Sequence, residues 1–156
     1  MKLFETEILL NEALQAFVRQ DNRHIGLVSI DIPLISNLDV WNNIALIRQY
    51  HFNIKEAPAR QLVMEYLQRY DMVNIAYKRN PALTDEERFC VMLLRAVMMK
   101  NAVVVIDRPF QILTDFQDAR FIYTALHKVA DSYQESHIFD YTWNAHRYRV
   151  ENDQTC

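Results

Sequence analysis

The residues with the clearest potential for chemistry are an aspartate that ends an apolar run and the helix start that precedes it. Residues 101–107 read NAVVVID, a continuous apolar stretch typical of a strand covered on both faces, and it ends at Asp107. Earlier in the chain, Thr84 and Glu87 form a T-x-x-E capping box that predicts the start of an apolar helix. Proteins that act on nucleotides often carry such a helix and strand, so Mg²⁺–nucleotide chemistry is the first possibility to consider.

The glycine content argues against that chemistry. Gly26 is the single glycine among 156 residues, where average usage predicts roughly ten. Loops that cradle phosphate need glycine for positive φ angles and for close approach of the backbone to the ligand. We therefore expect this sequence to contain neither a Walker A loop nor a dinucleotide-binding fingerprint.

The composition and net charge limit the classes of protein to which this chain can belong. The chain is 51% hydrophobic with a net charge of -3, which favours one packed domain over residues 1–156 and provides no basic surface for nucleic acid. Cys90 and Cys156 lack a metal-binding spacing, and the five histidines form no metal motif. We therefore predict a cytoplasmic protein that is not inserted in a membrane and that has no metal or other cofactor.

Hydrophobic periodicity and capping residues predict helices alternating with strands. Helices are expected over 5–20, 39–51, 56–70, 84–99 and 114–130, and strands over 24–30, 101–107, 136–142 and 147–151. Asp39 is predicted to cap the second helix, and Thr114 with Gln117 forms a capping box for the last one. This order implies an α/β fold with a parallel sheet, and the helices between the first two strands predict a helical lobe at approximately residues 31–83.

The order of these segments resembles that of the ATP-binding cassette (ABC) ATPases over residues 25–143. The stretch IGLVSIDIPLISNLDVWNNIAL is similar to the Q-loop segment of that family. The stretch LTDEERFCVMLLRAVMMKNAVVVIDRP is similar to its signature motif, the following helix and Walker B, and HIFDYTW is similar to the strand that leads to its switch histidine. Arg95–Ala96 and Asp107-x-Pro109 stand at the family's spacing. The resemblance implies a truncated P-loop NTPase fold of the ABC ATPase type, with a parallel sheet and a helical lobe.

The positions that carry nucleotide chemistry in the family differ in this sequence. Ile30 stands at the position of the Q-loop glutamine, and Trp143 stands at or next to that of the switch histidine. Asp85 and Glu86 replace the two signature glycines, and their carboxylates would repel the phosphate that those glycines receive. Arg108 replaces the catalytic glutamate, and a protonated guanidinium cannot act as a general base. The degenerate motif positions are therefore Ile30, Thr84, Asp85, Glu86, Asp107, Arg108 and Trp143.

Two further family features bear on nucleotide binding. The family's Walker A motif lies several tens of residues before the Q-loop, whereas 24 residues precede Ile25 and none of them is glycine. We therefore expect the phosphate cradle, its lysine and its Mg²⁺-binding hydroxyl to be absent. Asp107 is either a remaining Mg²⁺ ligand or a structural carboxylate that accepts hydrogen bonds from the backbone or from arginine, and we favour the second interpretation. Arg95 is expected to form a structural ion pair rather than a ligand contact.

Other constellations indicate packing rather than chemistry. No serine lies in a G-x-S-x-G motif, so a serine hydrolase is not expected. Aromatic residues near the C-terminus recur at strand-like spacing, which favours packing over a binding face. They are Tyr133, Phe139, Tyr141, Trp143 and Tyr148.

The resemblance and its departures together predict a non-catalytic interaction protein that does not bind or hydrolyse ATP in the usual way. The expected role is a companion or regulatory subunit of an ABC-type transport system, bound to a membrane subunit or an active ATPase subunit and so peripheral at the inner membrane. The alternatives are a cassette remnant recruited as a stand-alone regulator and one that retains weak nucleotide binding.

Loss of the Walker A strand would leave unpaired backbone groups inside the sheet. The sheet could close up, the N-terminal segment could insert, or another chain could supply a strand or a cover. Each repair re-uses or exposes a sheet edge, so we expect a homo- or hetero-oligomer such as a dimer.

Overall fold

The computed structural model describes residues 1–150, which form a parallel sheet flanked by helices. The strands are β1 (Lys2–Phe4), β2 (Ile25–Val28), β3 (Ala102–Asp107) and β4 (Tyr133–Tyr141). The helices are α1 (Glu7–Gln20), α2 (Val40–Phe52), α3 (Glu56–Gln68), α4 (Asp85–Ala96) and α5 (Arg120–His127). None of them is long and apolar enough to cross a membrane. The sheet order is β1-β4-β3-β2 with every neighbouring pair parallel, which confirms the predicted α/β class and parallel sheet.

Strand β3 is the buried centre of the sheet, and all six of its residues are inaccessible to solvent. Val103 and Val105 pack with Leu10 of α1 on one face. Val104 and Ile106 pack on the opposite face, against the core that α2 to α5 share. Successive side chains of a strand point to opposite faces, so one uninterrupted apolar run serves two cores, as the sequence predicted.

The first helix is shorter than predicted because a strand precedes it. β1 pairs in parallel with β4, with Leu3 opposite Asp140, and α1 follows after only Glu5 and Thr6. The Thr6 hydroxyl accepts a hydrogen bond from the Leu9 backbone N–H and so defines where the helix begins. An N-terminal segment of the chain therefore forms one of the two outer strands of the sheet.

The single glycine lies where β2 meets the end of α4. A Cβ atom on Gly26 would lie 2.1 Å from the carbonyl oxygen of Ala96. The helix backbone approaches the strand this closely because residue 26 has no side chain. Gly26 therefore sets the distance between α4 and the sheet.

The regular secondary structure between β2 and α4 is helical. It contains α2, α3 and two short 3₁₀ turns, Val73–Ile75 and Asn80–Ala82. Asp39 caps α2 as predicted, because its carboxylate accepts a hydrogen bond from the Asn42 backbone N–H. Pro58 lies in the first turn of α3, where an intrahelical N–H is not needed.

One buried amide fixes the loop that connects β2 to α2. The side chain of Asn43 is 2% exposed. Its oxygen accepts a hydrogen bond from the Ile35 backbone N–H at 2.8 Å, and its NH₂ group donates to the carbonyl oxygens of Ile35 and Leu38. Asn43 thereby supplies hydrogen-bond partners for backbone groups of this irregular loop, which have none in a helix or sheet.

The last helix begins later than predicted. α5 starts at Arg120 behind Ala119, and no side chain caps it. The Thr114 hydroxyl instead donates to the Asp85 carboxylate at 2.9 Å. The predicted capping box of Thr114 and Gln117 is therefore wrong, because a distant partner takes the hydroxyl that the local motif needs.

The C-terminal part contains one strand rather than two. β4 is longer than predicted, and residues 142–148 form a 3₁₀ helix. The Tyr148 hydroxyl donates to the buried Asp140 carboxylate at 2.5 Å, which folds this segment back onto β4. The predicted strand 147–151 is therefore wrong up to residue 150, and residue 151 lies outside the described part of the chain.

The substitution Gly26→Ala is expected to lower the free energy of unfolding by about 1–3 kcal/mol, the range for overpacked sites. The added methyl group would collide with the backbone of Ala96, which cannot move aside as a flexible side chain would. Urea denaturation followed by circular dichroism measures the change. Alanine normally strengthens a strand relative to glycine, so an unchanged or raised midpoint would contradict the prediction.

Candidate functional site

Buried polar side chains meet at the carboxyl ends of β2 and β3. Asp107 is the last residue of β3, and Ser29 follows β2 directly. Each is 1% exposed, and the Ser29 hydroxyl donates to Oδ2 of Asp107 at 2.7 Å. Ligands of α/β proteins bind at the carboxyl ends of parallel strands, so this edge is the candidate site.

Arg108 fills this edge with its guanidinium group. Its φ of 45° turns the chain after β3, and its backbone N–H donates to the Phe139 carbonyl oxygen of β4 at 2.8 Å. The side chain folds back on Asp107, with Nε 2.8 Å from Oδ1 and Nη2 3.0 Å from Oδ2. The Arg108 side chain is only 5% exposed, so this two-point ion pair is buried.

Two further carboxylates surround the guanidinium. Nη2 of Arg108 lies 2.8 Å from Asp31 in the loop after β2, and Nη1 lies 3.5 Å from Glu7 in the first turn of α1. We call Glu7, Ser29, Asp31, Asp107 and Arg108 the Arg108 cluster. Hydrogen bonding to Asp107 raises the pKa of Arg108, which therefore stays protonated. Three carboxylates face one guanidinium, so the cluster carries an excess of negative charge.

The hydrogen bonds of the cluster match the structural interpretation of Asp107. Its carboxylate accepts hydrogen bonds from the side chains of Ser29 and Arg108, as the structural interpretation predicted. Within residues 1–150, no group of three or more histidine, cysteine, aspartate or glutamate side chains is arranged to hold a metal ion. A phosphate group that approached this edge would meet the exposed carboxylates of Glu7 and Asp31.

The start of α4, where the signature motif was predicted, has the expected local structure. The Thr84 hydroxyl accepts a hydrogen bond from the Glu87 backbone N–H at 3.2 Å. The Glu87 carboxylate accepts one from the Thr84 backbone N–H at 3.0 Å. The predicted capping box is confirmed, and both N–H groups that it engages are unavailable to a ligand.

Asp85, the first residue of α4, lines a cavity that is separate from the Arg108 cluster. Asp85 accepts hydrogen bonds from Arg88 at 3.0 Å and from Thr114, while Glu86 is exposed. Asp85 and Ile30 line a cavity of about 280 Å³ between the β2–α2 loop and α4. The structure therefore brings Ile30 and Asp85 together but separates them from Asp107.

Trp143 lies in the 3₁₀ helix after β4 and is 59% exposed. Its ring stacks on Tyr141 with centroids 4.1 Å apart. Among the other aromatic residues of this region, Phe139 and Tyr148 are buried, as the packing interpretation predicted. An indole N–H only donates hydrogen bonds, so Trp143 cannot take the role of a proton-accepting histidine.

The Arg95 side chain binds the backbone of the β2–α2 loop. The guanidinium donates to the carbonyl oxygens of Pro33 at 2.9 Å and Ile32 at 2.5 Å. Burial lowers the pKa of Arg95. Its donors are satisfied by carbonyl oxygens rather than by a carboxylate, so the predicted ion pair is wrong.

Sequence reasoning missed most of the partners in the site. Glu7, Ser29 and Asp31 were not predicted, because only the pairing of distant strands and helices brings them to Asp107. A partial signal was present, since Ser29 and Asp31 are polar residues directly after an apolar strand. The sequence also gives a weaker indication of the role of Asn43, because this amide lies on the apolar face of a predicted helix.

No protein-family model matches the sequence, and no curated protein matches it. Among solved structures, it is similar to the bacterial ABC transporter cassette MJ0796 in its dimeric structure, with 22% identity and a TM-score of 0.59 over 85% of this chain and 58% of that one. The same cassette in a dimeric post-hydrolysis state, bound to ADP and phosphate, matches with 21% identity and a TM-score of 0.58 over 84% and 56% of the two chains.

A third structure belongs to a transporter assigned to the metal-chelate type of ABC transporters, in an inward-facing conformation. It matches with 16% identity and a TM-score of 0.62 over 89% of this chain and 61% of that one. The chain thus spans 56% to 61% of the length of these structures. The likeness establishes the fold, which is that of the ATPase cassettes of ABC transporters.

The substitution Arg108→Met is expected to lower the free energy of unfolding by about 3–5 kcal/mol, because it leaves the Asp107 carboxylate buried without its cation. Guanidinium chloride denaturation measures the loss. The matched control is Arg120→Met, which removes an ion pair with Asp118 from an exposed side chain and should cost much less. Equal effects of the two substitutions would contradict the prediction.

Proposed function

We propose that this chain is a non-catalytic interaction protein, a companion or regulatory subunit of an ABC-type transport system. It would act on the cytoplasmic face of the membrane, against a membrane subunit or an active ATPase subunit. The observation that carries the proposal is the Arg108 cluster, in which the candidate nucleotide edge is filled by the protein's own guanidinium group.

The cluster supplies the electrostatic part of the argument. In ABC ATPases the residue after the Walker B aspartate is a glutamate that polarises water, and Arg108 stands at that position. Arg108 cannot accept a proton, and its charge is taken up by Asp107, Asp31 and Glu7. Such an edge repels the phosphates of ATP instead of binding them.

The connection between β1 and α1 supports the same proposal. A P-loop unit is a strand, a glycine-rich loop and a helix, and β1 and α1 form a strand and helix joined by Glu5 and Thr6 alone. Two residues without glycine cannot wrap a phosphate group. We infer that this unit keeps the strand and helix of a P-loop and lacks the loop itself.

A partner surface is suggested by the β2–α2 loop. Ile30, Ile32 and Ile35 are each more than two-fifths exposed, while Arg95 and Asn43 hold the loop's backbone rigidly. In ABC transporters the Q-loop and helical lobe dock onto the membrane subunit. An ordered loop with exposed apolar side chains suits such a contact.

Titration calorimetry with Mg-ATP tests the loss of nucleotide binding. No saturable heat is expected at ATP concentrations up to about 1 mM. A Kd of about 1 mM corresponds to only about 4 kcal/mol of binding free energy. The substitution Arg108→Glu, which restores the family's residue type, is expected to create no Mg-dependent ATP hydrolysis, because the phosphate loop is still missing. Micromolar Mg-dependent binding by the natural chain would support the alternative of retained nucleotide binding and refute the proposal.

Cross-linking in membranes of the native host tests the companion role. The natural chain is expected to cross-link to a transport membrane subunit or an ATPase subunit, identified by mass spectrometry. Ile32→Asp should abolish this product by placing a charge in the apolar contact. Ile8→Asp is the matched control, since Ile8 is also exposed but lies on α1.

Two results would decide against the companion role. Products that contain no transport subunit would favour the stand-alone regulator. A stable monomer by light scattering, together with no cross-linked product, would argue against any obligate interaction.

A further inference from the structure

We propose that a cavity at the amino end of the sheet binds a phosphate monoester group. The cavity has a volume of about 330 Å³ and lies where α2 and α3 meet the turns that precede β3 and β4. The Arg108 cluster lies at the carboxyl end of the same strands. The proposed site therefore does not depend on the function inferred for that edge.

Two cationic side chains without carboxylate partners line this cavity. The guanidinium carbon of Arg48 lies 5.4 Å from the ring centroid of Phe52, and Nζ of Lys100 lies 5.5 Å from the same centroid. Neither cation forms an ion pair with a carboxylate of residues 1–150. Both side chains line the same cavity, so an anion bound in it would be attracted to two positive charges.

Arg48 also has an unused hydrogen-bond donor. Its Nε–H group is buried and has no hydrogen-bond partner. Arg147 likewise stacks on an aromatic ring with its Nε–H unpartnered, so stacking alone produces this feature. Arg48 differs because it lines a polar cavity beside a second cation, whereas Arg147 does not line it.

Neutral donors complete the wall of the cavity. Asn101 adopts a left-handed conformation with φ 56° in the turn that precedes β3. The register between β3 and β4 skips Gln134, a bulge of the kind that re-aims a side chain next to binding sites. The hydroxyl groups of Tyr66 and Ser132 are already engaged, because they lie 2.8 Å apart and the Ser132 hydroxyl donates to Asp131 at 3.0 Å. The amide side chains of Asn101 and Gln134 are thus the neutral donors beside Arg48 and Lys100.

The balance of charge at the cavity selects an anion. Asp131 also lines the cavity but pairs with Arg69 at 2.6 Å, and this arginine lowers the pKa of Asp131, so the pair is ionised and neutral overall. Arg48 and Lys100 therefore remain as a double positive excess in an otherwise acidic protein. A phosphate monoester carries close to two negative charges and three acceptor oxygens, which match two cations and several neutral donors better than a single carboxylate does.

Two probes with the same phosphate monoester distinguish a soluble ligand from a lipid headgroup. Glycerol 3-phosphate is titrated by calorimetry against the full chain, and vesicles of phosphatidylcholine with phosphatidic acid are tested by co-sedimentation. Binding of glycerol 3-phosphate indicates a soluble ligand, and binding to the vesicles alone indicates a lipid headgroup. Arg48→Met and Lys100→Met should each weaken the observed binding by roughly tenfold or more, the loss expected for one charged hydrogen bond.

Arg147→Met is the matched control and should change the affinity by less than about twofold, since a distant surface charge contributes little. Thermal melts establish that each variant is folded. Lys100 is an exposed turn residue, so Lys100→Met is expected to disturb folding less than Arg48→Met. The proposal is overturned if neither probe binds or if Arg147→Met weakens binding as much as Arg48→Met. It is also overturned if uncharged glycerol binds as well as glycerol 3-phosphate.

Discussion

The guanidinium group of Arg108 lies where three separate segments of the chain meet. It contacts Asp107 at the end of β3, Asp31 in the loop after β2, and Glu7 at the start of α1. A buried carboxylate such as Asp107 is costly without a cation, and a buried guanidinium is costly without an anion. Each charge therefore requires the other, and their pairing holds the carboxyl edge of the sheet together.

The β2–α2 loop also depends on side chains that satisfy otherwise unpaired polar groups. This loop has no regular backbone pairing, so its polar groups need side-chain partners. Arg95 and Asn43 supply them from α4 and α2. The loop is thus held by side chains of the protein itself, while Ile30, Ile32 and Ile35 remain exposed. The two ends of the sheet then differ in charge, with carboxylates around Arg108 and unpaired cations at Arg48 and Lys100.

Much of the fold could be predicted because its signals are local. The β3 strand is one apolar run, and the helix start at Thr84 is a motif of four residues. The errors arose where a distant partner overrode a local pattern. Thr114 has the sequence of a helix cap but bonds to Asp85. The outer strand β1 was missed because three residues carry too little periodicity to predict a strand, and its pairing with β4 stabilises it.

The sequence by itself determined the α/β class, the positions of the main helices and strands, and the charged residue types at Asp85, Glu86 and Arg108. Residue type alone shows that Arg108 cannot be a general base. Only the tertiary structure decided what Arg108 does instead. Glu7 lies about a hundred residues away from it in the chain, and the strand order brings the two together. Side-chain chemistry is a property of each residue, but the partner of a buried charge depends on which segments the sheet brings into contact.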